Sequence, residues 1–175
     1  ADYARTNGIE FEGTSLRFIR SSGAPLSKNL KEYLENVFKA PIEQSYGMTE
    51  VKNISSTYKA PNGYKEGSAG ISRLLDIKIL DGEILVKGDS VFDGYENDEI
   101  DNSEYFTDGW FHTGDMGYLD ENRYIFITGR IKEMINRGGE KISPYEVENA
   151  ILKHSNISDA AVFPYPNSFG SEDVG

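Results

Sequence analysis

Residues 129–148 read GRIKEMINRGGEKISPYEVE, and this stretch decides how the second half of the chain folds. Its glycines and proline punctuate the backbone, and its charges are spaced too evenly for simple burial. The pattern predicts a strand ending at Gly129, a polar joint, a short hairpin turning on Gly138 and Gly139, and then a helix. Ser143 suits the N-cap, Pro144 the first helical position, and Glu146 completes a Ser-x-x-Glu box. Val147, Ala150 and Ile151 give that helix one apolar stripe. A strand, a joint and a new folding unit in so few residues predict a boundary between two bodies that move.

Working outward, residues 16–20 read as a strand running into a turn at 21–25. Ser27 caps an expected helix with Leu30, Leu34, Val37 and Phe38 on one face, ending near Ala40 and Pro41. A strand over 42–46 and a loop over 47–50 follow, and this alternation predicts part of an α/β sheet layer. The pattern changes near Asn62-Gly63. Strands over 75–80 and 83–87 flank Asp81-Gly82, a strong hairpin signal. A polar loop over 93–108 precedes two further strands, 110–119 and 123–128, around Asp120-Glu121-Asn122. Such short strands predict a small antiparallel, barrel-like subdomain. A strand over 160–163 is expected after the capped helix.

The expected fold class is therefore α/β shading into α+β. Residues 1–64 would close an α/β sheet subdomain, 65–130 would form a β-rich subdomain, and 131–175 a hinge with an incomplete C-terminal domain. Residue 1 is not Met, and the final SFGSEDVG breaks off where a further strand is expected, which suggests a piece of a longer protein.

Composition narrows the class. Hydrophobic content of 38% and charged content of 27% are those of a globular chain. A net charge of −11 opposes broad nucleic-acid binding, because phosphate repulsion is unrelieved over most of the surface. Local cations such as Lys132 and Arg137 escape that argument, since a small anion needs only a few. No apolar run approaches the roughly 20 residues of a membrane helix. The absence of cysteine excludes disulfides and thiolate metal sites, and a cytoplasmic location is the expectation.

Three short stretches carry chemistry. SYGMTE, at 45–50, places an aromatic face and a bare glycine at the end of a strand, then a hydroxyl donor at Thr49 and a hard carboxylate at Glu50 suited to Mg²⁺. By itself the stretch reads first as a strand-end turn with a solvated Thr-Glu pair. HTGD, at 112–115, places a carboxylate after glycine, where it can approach a diol closely, or where it simply occupies a tight turn. Arg130 either pairs with a surface carboxylate or donates to a sugar or phosphate. His112 reads as structural, and His154 as a group meeting a helix C-terminus.

Order and spacing change these odds. SSGAPL at Ser21, YGMTE at Tyr46, GEILVKG at Gly82, FHTGD at Phe111 and GRIKEMINRGGEKI at Gly129 resemble, in sequence, the core motifs of the adenylate-forming enzymes. That superfamily comprises acyl-CoA synthetases, nonribosomal-peptide adenylation domains and luciferases, and the resemblance runs from about Leu16 to the end. The Met in YGMTE, the Lys at position 132 and the wording of GGEKISPYEVE resemble the acyl-CoA ligase branch.

The resemblance implies a role for each matching residue. Gly23, Ala24 and Pro25 would line one face of adenine and Tyr46 would stack on the other, with Gln44 and Ser45 at its edge and Gly47 and Met48 in the same nucleotide loop. Thr49 would bond the α-phosphate, Glu50 would hold Mg²⁺, and Asp115 would grip the ribose with Arg130 assisting. Lys132 matches the hinge, so Thr49, Glu50, Arg130 and Lys132 form the expected catalytic set. Gly138 and Gly139 match the turn beside the pantetheine arm of CoA. The implied reaction joins a carboxylic acid to ATP and then passes the acyl group to CoA. A carrier protein as acceptor, or a nucleotide-binding module without turnover, are the alternatives. The resemblance also implies a phosphate loop upstream and a catalytic lysine downstream.

Overall fold

The computed structural model describes residues 3, 6–8, 15–24, 26–58, 60–154, 156, 157, 159–167 and 170–175. Pro25 lies outside them. The chain forms two compact units, one from residues 1–76, 87–98 and 119–126, the other from 77–86, 99–118 and 127–175.

The first unit is built on a strand-helix-strand crossover. Strand β1 (Ile19–Ser22) leads through helix α1 (Lys28–Phe38) into β2 (Ile42–Tyr46), which pairs with β1 in parallel. The expected first strand therefore sits about two residues later than its apolar residues suggested, because β2 dictates the register Ile19↔Ile42. Ser27 caps α1 as its sequence predicts, its Oγ accepting the Leu30 N–H at 3.3 Å. The helix stops at Lys39 in a left-handed conformation with φ 52°. Glu35 ties the helix to the next strand, since its Oε1 accepts both Lys31 Nζ at 2.6 Å and the Ile42 N–H at 2.8 Å. A two-residue strand β3 (Ser55–Ser56) runs antiparallel to β2. Among the described residues, Ala40, Ile42, Val51, Ile54, Ala60, Leu75, Tyr124 and Ile125 are the buried apolar residues of this unit.

The second unit contains most of a five-stranded sheet in the order β4-β5-β7-β6, with β8 also paired to β7. Its strands are β4 (Asp76–Leu80), β5 (Glu83–Lys87), β6 (Phe106–Thr107), β7 (Trp110–Leu119) and β8 (Ile125–Arg130). Asp81 and Gly82 both have positive φ, 51° and 84°, as a type I′ turn requires. Asp108 and Gly109 repeat the device at 52° and 78°, turning β6 into β7. The first arm of that second hairpin, β6, falls in what the sequence suggested was a polar loop over 93–108, while its second arm, β7, is the strand expected over 110–119. The fourth expected strand shifts from 123–128 to Ile125–Arg130, because the turn after β7 extends to Arg123, whose N–H returns to the Asp120 carbonyl at 2.9 Å.

The β5–β7 ladder is irregular. Leu85 faces His112 and Glu83 faces Met116. Thr113, Gly114 and Asp115 thus stand opposite Ile84 alone, a bulge in the middle of a strand.

After β8, a 3-10 turn (Ile131–Glu133) leads to the hairpin of β9 (Ile135–Arg137) and β10 (Glu140–Ile142) and then to helix α2 (Pro144–Ile151). The capping serine is Ser143, whose Oγ accepts the Glu146 N–H at 3.3 Å and donates to the Thr128 carbonyl. The expected strand at 160–163 is displaced. Strand β11 (Pro164–Pro166) instead pairs with β12 (Glu172–Val174), where prolines are tolerated because a two-stranded sheet leaves every strand an edge.

Candidate active site

In the first unit, parallel pairing sets Ser22 opposite Ser45, so Gly23-Ala24 and Tyr46-Gly47 leave neighbouring strands at the same carboxyl end. Ligands of open α/β sheets bind at that end. Gly23 has φ 89°, a left-handed value that suits glycine. Gly47 is required for another reason. A Cβ there would stand 2.3 Å from the Lys52 carbonyl oxygen, because the loop folds back on itself.

Gln44 shows an unusual balance. Its backbone is fully engaged: its N–H donates to Thr57 Oγ1 at 2.8 Å and its carbonyl accepts the Thr57 N–H at 2.9 Å. Its side-chain Oε1 is buried without a partner among the described residues. An acceptor in that condition gains from a donor brought by a ligand. Ser45 is held in the ladder opposite Ser56. Beyond Met48, a 3-10 turn (Thr49–Val51) exposes Thr49, buries Val51 and leaves Glu50 half-buried. Glu50 Oε1 accepts the Tyr95 hydroxyl at 2.7 Å, and its carbonyl accepts the Phe92 N–H at 2.9 Å. Mg²⁺ binds through one or two carboxylates plus phosphate oxygens, so one carboxylate aimed by a neighbouring hydroxyl fits it.

In the second unit, the bulge carries Asp115, only 3% exposed. Arg130, at the end of β8, donates its Nε to Asp115 Oδ1 at 2.9 Å while most of its own side chain stays in solvent. The HTGD aspartate therefore sits on a kinked strand, not in a tight turn. Thr113 buttresses it from below, with Oγ1 donating to the Ile84 carbonyl at 2.7 Å and accepting the Asp115 N–H at 3.1 Å. Lys132 is exposed in the middle of the 3-10 turn that follows β8. Gly138 and Gly139 form the tip of the β9–β10 hairpin with φ 61° and 98°, and among the described residues nothing lies within 4 Å of where their side chains would be. Their backbone is clasped by one distant and one local group: Ser171 Oγ accepts the Gly138 N–H at 2.7 Å and Asn136 Oδ1, three residues back, accepts the Gly139 N–H at 3.1 Å.

Sequence reasoning passed over Tyr95, Glu83 and Ser171, although each touches a motif it singled out. Glu83 lies within the GEILVKG motif, which is the one available signal. Tyr95 and Ser171 have none, since their partners are far away in the chain.

A family model described as AMP-binding enzyme matches residues 4–96. The chain belongs to the AMP-binding enzyme family. It is 41% identical over 172 residues to a probable CoA ligase of Humulus lupulus, covering 91% of this chain and 33% of that protein. It is 39% identical to an oxalate–CoA ligase of Arabidopsis thaliana, covering 94% and 35% respectively. Among solved structures, the ATP-bound MatB of Rhodopseudomonas palustris matches with a TM-score of 0.80 at 29% identity, over 90% of this chain and 34% of that one. The O-succinylbenzoate CoA synthetase of Bacillus subtilis in complex with ATP and magnesium ion matches with a TM-score of 0.77 at 32% identity, over 98% and 38%. This AMP-binding chain thus spans about a third of the length of the curated relatives it matches. Its mixed α/β architecture with a curled antiparallel sheet is that of these neighbours. Among the described residues no helix is long and apolar enough to cross a membrane.

Proposed function

We propose that this chain supplies nucleotide-binding and hinge elements of an ATP-dependent ligase that joins a carboxylic acid to the thiol of CoA. The observation that carries the reading is Asp115, a nearly buried carboxylate lifted on a strand bulge with Arg130 on one oxygen. Such a group accepts hydrogen bonds from a diol without competition from bulk water. The support from relatives is that those matching over nine tenths of the chain carry the names of CoA ligases.

The mechanism has two halves. A substrate carboxylate oxygen attacks the α-phosphorus of ATP, the bond to the bridging oxygen breaks, and pyrophosphate leaves. The thiol sulfur of CoA, having lost its proton, then attacks the acyl carbon, and AMP departs with the electron pair of the broken C–O bond. Positioning and charge neutralisation dominate the first half. Tyr46 stacks on adenine, with Gly23 offering unobstructed backbone beside Ala24 and Gln44 Oε1 an acceptor for an exocyclic amine. The Thr49 hydroxyl donates to an α-phosphate oxygen, and Asp115 and Arg130 fix the ribose. Glu50 would hold Mg²⁺, which would supply neutralisation of phosphate charge. In the second half, Lys132 is the pivot about which the residues after it turn, and the side-chain-free tip at Gly138-Gly139 leaves room for the thiol arm.

The test is Asp115→Ala in the full-length polypeptide that carries this chain. Losing a charge-assisted acceptor costs about 1.5–3 kcal/mol, so KM for ATP should rise roughly 10- to 100-fold. An unchanged KM for ATP overturns the reading.

A further inference from the structure

Glu83 lies in a motif to which no role has yet been given, and both of its carboxylate oxygens are engaged by the strand that carries Asp115. Oε1 accepts the Gly114 N–H at 2.9 Å, and Oε2 lies 2.8 Å from His112 Nδ1. A carboxylate only accepts, so in the neutral imidazole the proton sits on Nδ1 and His112 donates to Glu83. The other ring nitrogen, Nε2, then accepts from the Thr107 hydroxyl at 3.0 Å. The Glu83 and His112 side chains are 15% and 24% exposed, so the contacts are largely shielded from competing water.

The place of these bonds in the ladder gives them meaning. Between the pairs Leu85↔His112 and Glu83↔Met116 the regular hydrogen bonding is interrupted, leaving Gly114 without its strand partner. Gly114 has φ 72°, a left-handed value that departs from extended strand backbone at that point. A bulge leaves its extra residues unpaired and re-aims the side chains that follow. Glu83 supplies the missing acceptor, and through His112 and Thr107 its own carboxylate is held in one orientation.

We infer that Glu83 is a positioning residue for ribose recognition: by bonding Gly114 and His112 it holds the bulge that aims Asp115 at the sugar hydroxyls. Glu83 touches neither substrate nor metal. It acts one residue away, through the peptide that precedes Asp115. The inference rests on the proposed ribose role of Asp115.

The experiment uses the full-length polypeptide as wild type, Glu83→Ala, Glu83→Gln and Asp115→Ala. Initial rates of pyrophosphate release are measured with ATP, 2′-deoxy-ATP and 3′-deoxy-ATP, together with KM for the carboxylic acid and for CoA. The Glu83→Ala variant is expected to raise KM for ATP about tenfold, the cost of one charge-assisted hydrogen bond, at unchanged KM for the acid and CoA. Its preference for ATP over the deoxy analogues should shrink toward that of Asp115→Ala. The Glu83→Gln variant, whose amide oxygen still accepts from Gly114, should restore most of the preference. Should Glu83→Ala fail to fold, Glu83→Asp, one methylene shorter, reads the same loss. The inference is overturned if Asp115→Ala abolishes the deoxy discrimination while Glu83→Ala leaves it at the wild-type value, or if every KM shifts equally in Glu83→Ala. Retained discrimination in Asp115→Ala is a different signature, and it overturns the ribose assignment itself.

Discussion

Tyr95 and Glu50 stand 45 positions apart in the chain, yet the tyrosine hydroxyl donates to Glu50 Oε1 at 2.7 Å. Beside it the Phe92 and Tyr95 rings meet edge to face at 4.9 Å, so the hydroxyl is presented by a packed aromatic pair. Groups that orient a metal-binding carboxylate typically change metal affinity about 10- to 100-fold when removed. Tyr95→Phe keeps the ring contact and deletes only the hydroxyl. The full-length enzyme should then need about tenfold more Mg²⁺ for half-maximal adenylate formation, as magnesium titration of pyrophosphate release would show. An unaltered magnesium curve would remove Glu50 from the metal role.

Gly47 has no room for even one methyl group. Its Cβ would fall 2.3 Å from the Lys52 carbonyl oxygen and 2.9 Å from the carbonyl carbon, both backbone atoms. Forcing such atoms apart costs roughly 1–3 kcal/mol. Gly47→Ala should lower the urea midpoint by a corresponding amount with little change in the slope of the transition. A midpoint matching wild type would mean that the 47–52 loop yields freely.

Glu35 links acidity to stability. Burial pushes its carboxyl up, but the hydrogen bonds from Lys31 and from the Ile42 N–H, with the lysine charge, bring it below its ordinary 4.5. A carboxylate lowered on folding stabilises the native state above its unfolded value, and that contribution fades as pH drops through the folded one. Chemical denaturation followed from pH 6 downward should show stability declining below about 4.5, with a shallower decline in Glu35→Gln. Identical slopes would show that Glu35 contributes nothing to acid sensitivity.

Lys132 sits exposed in the turn between β8 and β9. Proline fixes φ near −65° and would freeze a rotation there. Lys132→Pro should form the adenylate at near wild-type rate while losing thioester formation, two steps separable by pyrophosphate release and by CoA consumption. Equal loss in both would exclude the residue as a pivot.

What the sequence revealed and what it hid divide along local and distant partners. Asp81-Gly82 and Gly138-Gly139 were legible because a two-residue turn needs positive φ at both positions and few residue pairs supply it. Ser27 and Ser143 were legible because a cap finds its N–H three residues on. The missed hairpin at Asp108-Gly109 carried the same signal, obscured by a β6 strand of only two residues. Prolines hid β11, since they read as breakers unless the strand is known to be an edge. The bulge beneath Asp115 had no local mark. It exists because Glu83, 31 residues away from Gly114, accepts the N–H that the ladder drops.

The ladder arithmetic at that bulge also restricts how genes for this fold can drift in length. Three residues of β7 lie against one of β5, an excess of two, so inward and outward faces stay in phase on either side. Losing a single codon from 113–115 would swap those faces for every position up to Leu119, turning Gly117, now interior, toward solvent and Tyr118 inward. Losing two codons would straighten the strand and keep the phase, at the expense of the aspartate's perch. Length changes in this segment should therefore survive only in even steps.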